Sequence, residues 1–215
     1  MPHSRMTELI DGPAGPLELQ REAPRSAASP TGLALICHPH PLYGGTLDNK
    51  VVYTLARCAL SIGLSAVRFN FRGVGRSGGA YDNGVGETED AAAVLAWAGA
   101  QQADARVLLM GFSFGAAVAL RLAAQIEAVQ LVTVAPPLVY FDHEPLVQPR
   151  CPWLLVHGTA DTTVPWPETQ DRLKRYEPSP QLVVSPGVDH FFHGKLGELR
   201  AAVEPVLKAR WRSLA

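Results

Sequence analysis

The feature that most constrains this chain is an alternation of two kinds of segment, beginning at Gly32 and running to the C-terminus. GLALICH (32–38), LSAVRFNF (64–71), RVLLMG (106–111), QLVTVA (130–135), WLLVHG (153–158) and QLVVS (181–185) are short, nearly continuous apolar runs bounded by turn residues. Between them lie VVYTLARCALSIG (51–63), ETEDAAAVLAWAGAQ (87–101), FGAAVALRLAAQIEA (114–128) and WPETQDRLKRYE (166–177), with HGKLGELRAAVEPVLKARW (193–211) closing the chain. Their apolar spacing suits helices packed on one side. A strand apolar at nearly every position is covered on both faces, which is the condition of a parallel sheet coated by its crossover helices. The alternation therefore predicts an α/β fold, a doubly wound and mostly parallel sheet with helices on both faces. The Ala-rich segment from Phe114 to Ala128 is apolar almost all round and is expected to be the central helix. Ahead of the alternation, TELIDGPAGPLELQ reads as a hairpin around a Gly and Pro turn, and REAPRSAASPTG (21–32) as the loop that follows it. At 215 residues the chain is expected to form one domain, residues 1–215, with a core large enough to need no disulfide or metal.

In open sheets of this kind ligands bind outside the carboxyl ends of the strands, so chemistry is sought there. RVLLM and FGAAVALRLAA flank GFSFG, which fits GxSxG, a sharp strand-to-helix turn that holds a serine exposed and strained. With 19 glycines in the chain, that pattern is expected by chance only about 0.08 times. Ser113 is thus the candidate nucleophile. A serine needs a base held by an acid, and in this architecture the order along the chain is Ser, acid, His. Asp161, in HGTADTTVP after WLLVH, and His190, after QLVVSPGVD, supply that order. Asp142, one strand earlier, is the rival acid, and His193 the rival base. His190 is expected to open the last helix. His157 reads as a structural residue at a strand end.

An oxyanion hole is expected from two backbone N–H groups: that of Phe114, next after the serine, and one from the loop HPHPLYGG after the first parallel strand. Pro39 and Pro41 have no N–H and are excluded as donors. His40 is the first choice through its backbone, and Leu42 the second. Asp48 is expected to cap the helix that follows.

Taken in this order, GFSFG, HGTAD and GVDHFFHG resemble the α/β-hydrolase superfamily. CHPHPLYGGTLDNKVV followed by FNFRGVGRSGG is similar, more narrowly, to a group of small lidless bacterial serine hydrolases related to dienelactone hydrolase-like esterases. The likeness runs from about Gly32 to the C-terminus. It implies a serine hydrolase without a cap, although dienelactone hydrolase itself uses cysteine where this chain has Ser113.

Other functions fit less well. Nineteen Lys and Arg nearly balance 20 Asp and Glu, so no electrostatic footprint for nucleic acid or an anionic membrane exists. Cys37, Cys58 and Cys151 are odd in number and far apart, against a disulfide framework or a thiolate zinc site. No signal peptide or run of 18 apolar residues can be placed, and a cytoplasmic protein is expected. Gly73, Gly75 and Gly78 satisfy GxGxxG, but the strand before them is not the first of the parallel unit and no helix opens at the third glycine. The pairs His38/His40 and His190/His193 lack a carboxylate at metal-ligand spacing. Neither cofactor nor metal is expected.

The activity these residues predict is hydrolysis of a small carboxylic ester or thioester through an acyl-serine. The alternatives are a catalytically silent binding module, or an acyltransferase or peptidase using the same residues. Only 15 residues (136–150) separate QLVTVA from CPWLLVH, which starts at Cys151, where a cap is commonly inserted, too few for several helices. The serine is therefore expected to face solvent in a shallow groove. Tyr43, Tyr140, Phe141, Trp166, Phe191 and Phe192 are candidate pocket walls.

Overall fold

A computed structural model describes residues 7–25, 30–102, 104–142 and 147–214. Among them, eight strands form one sheet in the order β1-β2-β4-β3-β5-β6-β7-β8. The strands are β1 (Glu8–Gly12), β2 (Gly15–Glu22), β3 (Gly32–Cys37), β4 (Ser65–Phe69), β5 (Arg106–Phe112), β6 (Gln130–Val134), β7 (Trp153–Gly158) and β8 (Gln181–Ser185). The β1/β2 hairpin and the β2/β4 pair are antiparallel, and every other pairing is parallel. Five α-helices connect them: α1 (Lys50–Ser61), α2 (Val85–Ala100), α3 (Phe114–Gln125), α4 (Trp166–Leu173) and α5 (Leu196–Arg212).

Period-two alternation along buried strands divides the core. In β3, Leu33, Leu35 and Cys37 join a cluster with Ala91, Val94 and Ala98 of α2 and Ala117, Leu120 and Leu122 of α3. The intervening Ala34 and Ile36 face the other way, onto Val52 and Leu55 of α1 and Leu199, Val203 and Leu207 of α5. Each face is sealed because both sets of side chains are apolar, as the continuous apolar runs predicted. Burying a leucine of this kind contributes about 1.5–3 kcal/mol.

The strand order reverses between β3 and β5, where chain segments leave to opposite sides and a crevice opens at the carboxyl ends. Two local expectations are corrected. Asn49, not Asp48, caps α1, its side-chain oxygen accepting from the Val51 and Val52 N–H groups; Asp48 instead lies 3.5 Å from Arg68. The last helix opens at Leu196, so His190 sits in the loop before it and is positioned by that loop. Between β6 and β7 the described residues hold one 3-10 turn, Leu138–Phe141, and no cap.

Candidate active site

Ser113 stands at the junction of β5 and α3 with φ 53° and ψ −123°, a conformation that L-residues adopt only under constraint, at a cost of about 1–3 kcal/mol. Its neighbours make the turn possible. A Cβ on Gly111 would lie 2.2 Å from the Gly115 carbonyl oxygen, and one on Gly115 would lie 2.3 Å from that of His38. Both positions of the GxSxG pattern therefore need glycine, as the motif implied. The Ser113 N–H donates to Val134 O at 2.9 Å, tying the turn to β6.

Ser113, Asp161 and His190 come from three separate loops and meet. His190 Nε2 is 3.0 Å from Ser113 Oγ, and Nδ1 is 2.7 Å from Asp161 Oδ2. The carboxylate accepts only, so the ring proton belongs on Nδ1, leaving the Nε2 lone pair for the serine hydroxyl. The other oxygen, Asp161 Oδ1, accepts from the Thr163 and Val164 N–H groups at 2.9 and 2.7 Å. The tight turn of GTADTTVP thus fixes the carboxylate from behind.

The rivals lie elsewhere. Asp142 takes a forked pair of bonds from Arg172, at 2.9 Å to Nε and 2.7 Å to Nη2. His193 pairs with Asp189 at the surface. His157 is fully buried and donates from Nε2 to Val164 O at 2.8 Å, with the same nitrogen 3.5 Å from Asp161 Oδ2. Burial holds its pKa below the ordinary histidine value. It braces the loop that carries the acid, and nothing in its sequence context beyond a strand-end position signals that.

The loop after β3 is held by two histidine side chains. His38 accepts from the Phe71 N–H through Nε2 at 3.0 Å and donates from Nδ1 to Pro39 O at 2.6 Å. Complete burial pushes its pKa down to about 4, so the ring is neutral and bridges the loops after β3 and β4. His40 Nδ1 accepts the Leu42 N–H at 3.2 Å. That occupies the second-choice oxyanion donor. The N–H groups of His40 and Phe114 have no hydrogen-bond partner among the described residues.

Of the candidate wall residues, Phe141 and Phe192 are core, whereas Tyr43 and Phe191 are exposed and Tyr140 and Trp166 half-buried. Ser113 keeps only 8 % of its surface exposed, less than an open groove implies, and the His190 ring stands against its hydroxyl. Gly73 and Gly78 bond to each other across their loop, and Gly78 bonds to Pro16 O, while α2 opens only at Val85; the glycines turn a loop, and no helix opens at the third of them. Among the described residues no three His, Cys, Asp or Glu side chains converge as a metal site would need. All three cysteines are free thiols, and burial raises the pKa of each, that of Cys151 to about 11. No helix of the described residues is long and apolar enough to cross a membrane.

Sheet, elbow and converging loops define the α/β serine hydrolases, and comparison with known proteins agrees. The family model described as X-Pro dipeptidyl-peptidase (S15 family) matches residues 23–144, more than half of the chain and including the elbow. The chain belongs to that family and has the α/β serine hydrolase fold. An alpha-beta serine hydrolase homologue from Coxiella burnetii is 43% identical with a TM-score of 0.90, covering 96% of this chain and 99% of its own. An α/β serine hydrolase without lid from Xanthomonas campestris is 41% identical, also at 0.90, covering 98% and 96%. The uncharacterized protein RP471 of Rickettsia prowazekii is 34% identical over 208 residues, 92% of this chain and 87% of that protein.

Proposed function

We propose that residues 1–215 form one catalytic domain that hydrolyses a small, soluble carboxylic ester or thioester, with Ser113, His190 and Asp161 as its catalytic residues. The observation that carries this reading is the unbroken chain of contacts from Asp161 through His190 to Ser113, at 2.7 and 3.0 Å. Ser113 Oγ attacks the acyl carbon while His190 Nε2 takes the hydroxyl proton. Asp161 holds the imidazole in the required tautomer and stabilises the cation that forms. The oxyanion is met by the N–H groups of Phe114 and His40. His190 then returns the proton to the leaving oxygen or sulfur, and the bond to the acyl carbon breaks. Water repeats the attack on the acyl-serine, with His190 again as base, and frees the acid. Each step uses protein groups and water only, so the mechanism calls for no cofactor or metal. A cytoplasmic protein acting on a small molecule fits the composition.

The family's description favours one second reading, cleavage of a peptide bond after proline. An X-Pro p-nitroanilide set beside p-nitrophenyl acetate decides between them. The ester is expected to turn over and the anilide not. A fluorophosphonate probe is expected to label the wild type and leave Ser113→Ala unlabelled; equal labelling of both removes Ser113 as nucleophile. Without a cap to enclose a long chain at about 0.8 kcal/mol per methylene, kcat/KM is expected to stay flat or fall beyond about six acyl carbons.

A further inference from the structure

The two faces of the sheet present different surfaces to the nucleophile. His190 approaches from the side of α1 and α5, its ring 5.0 Å from Phe112, whose side chain belongs to that core. Beside it, Phe191, Gly44, Thr46, Asn49, Lys50 and Leu196 line a hollow of about 400 Å³. Phe114 lies on the opposite side, in the core of α2 and α3. Its ring is the centre of an aromatic cluster: His40 at 5.0 Å, Tyr81 at 5.7 Å and Tyr140 at 5.9 Å. His40 also lies 4.9 Å from Tyr81 and 4.6 Å from Tyr43.

Chemistry assigns the two sides. The base must hand its proton to the departing atom, so the leaving group lies on the His190 side, next to the hollow by Phe191. The acyl substituent is then directed away from His190, across Phe114. We propose that the acyl group carries a neutral aromatic ring, seated on the face that His40, Tyr81 and Tyr140 build over Phe114. This rests on the ester reading above and adds the substrate class.

Three observations favour a ring over an alkyl chain or a charged group. Tilted and edge-on ring pairs such as these add about two- to tenfold in affinity beyond the apolar area they bury. The described residues supply no cap to enclose a flexible chain, whose rotamers would have to be frozen, whereas a ring is already rigid. Behind the face stands the buried Glu87, its carboxylate accepting from the Asp82 and Gly84 N–H groups and acting electrostatically on both His40 and Tyr81. Arg72 also interacts electrostatically with that carboxylate, so the face carries no unbalanced charge to recruit an ionic acyl group of either sign. His40 adds no cation, since its Nδ1 accepts the Leu42 N–H and burial favours the neutral ring.

The test compares p-nitrophenyl phenylacetate with p-nitrophenyl cyclohexylacetate, equal in length and leaving group. In the wild type, kcat/KM is expected to favour the phenyl ester by about fivefold. In Tyr81→Leu the ratio is expected to fall towards one, and a general loss of activity cancels within it. A wild-type ratio of one or less, or a ratio that Tyr81→Leu leaves unchanged, overturns the aromatic seat. Hydrolysis of p-nitrophenyl acetate that disappears in Ser113→Ala tests the ester reading separately. If acetate is not turned over, binding of phenylacetamide against cyclohexylacetamide, followed by NMR, reads the seat without catalysis. Preference for the phenyl compound that Tyr81→Leu abolishes supports it, and no preference overturns it.

Discussion

His190 and His193 are three residues apart, and each holds a carboxylate oxygen 2.7 Å from its Nδ1. The bonds match in length and differ in everything around them. The side chains of His190 and Asp161 are 3% and 0% exposed, those of His193 and Asp189 75% and 45%. In the outer pair, Asp189 is held below the usual carboxylate range first by the His193 N–H and then by its ring, a local i,i+4 arrangement that water screens. In the inner pair, two backbone N–H groups fix the far side of the carboxylate, and the far nitrogen of the imidazole meets a hydroxyl. A short His–Asp contact is therefore no mark of a proton relay by itself. Burial and a third partner are what set the proposed catalytic pair apart.

The largest expected effect breaks the inner pair. His190→Ala is expected to lower kcat/KM on p-nitrophenyl acetate by about 10³ or more, and Asp161→Asn by about 10³ through the wrong imidazole tautomer. Next in size is a stability effect that sets a buried histidine outside the pair against the exposed one. The folded pKa of His38, about 4, lies below its ordinary 6.5, so the unfolded chain takes up the proton first. Stability from keeping that ring neutral is whole above about pH 6.5 and is lost as pH falls towards 4. Urea unfolding at pH 7 and pH 4 is expected to show the margin of wild type over His38→Gln shrinking by about 3 kcal/mol. A constant margin would mean that His38 accepts its proton as readily folded as unfolded. The smallest effects belong to the surface: His193→Ala is expected to change kcat/KM by less than about threefold, because its partner is screened. Asp142→Asn, which loosens an ion pair with Arg172, is expected to cost about 1 kcal/mol or less of stability and to spare turnover. A His193→Ala loss as deep as that of His190→Ala would erase the contrast between the pairs.

Much of this arrangement was legible before any coordinates. The six apolar runs from Gly32 onward became β3 to β8, displaced by a residue or two at most at their ends, because strands covered on both faces admit few other residues. Ser113 announced itself through Gly111 and Gly115, whose lack of a Cβ is a steric necessity visible as a spacing. The ends of helices read less well. Asn49 and Asp48 are both competent caps, and only the backbone path chose between them. Similarly, a serine that was expected to stand open is more than nine-tenths covered, since burial by residues distant in the chain leaves no pattern in any one segment.

What the sequence determined by itself is what repeats or is local: the period of each element, the two glycines of the elbow, and the order Ser113, Asp161, His190 along the chain. What the tertiary structure alone decided is convergence. Position along the chain ranks Asp161 ahead of Asp142 and His190 ahead of His193, but ranking is not contact. Contact comes from loops after β5, β7 and β8 that lie far apart in the chain and meet at one sheet edge. The aromatic face over Phe114 is of the same kind, since His40, Tyr81 and Tyr140 come from three different loops. Distances of 3 Å between such side chains follow from how whole layers pack, and no window of neighbouring residues contains that information.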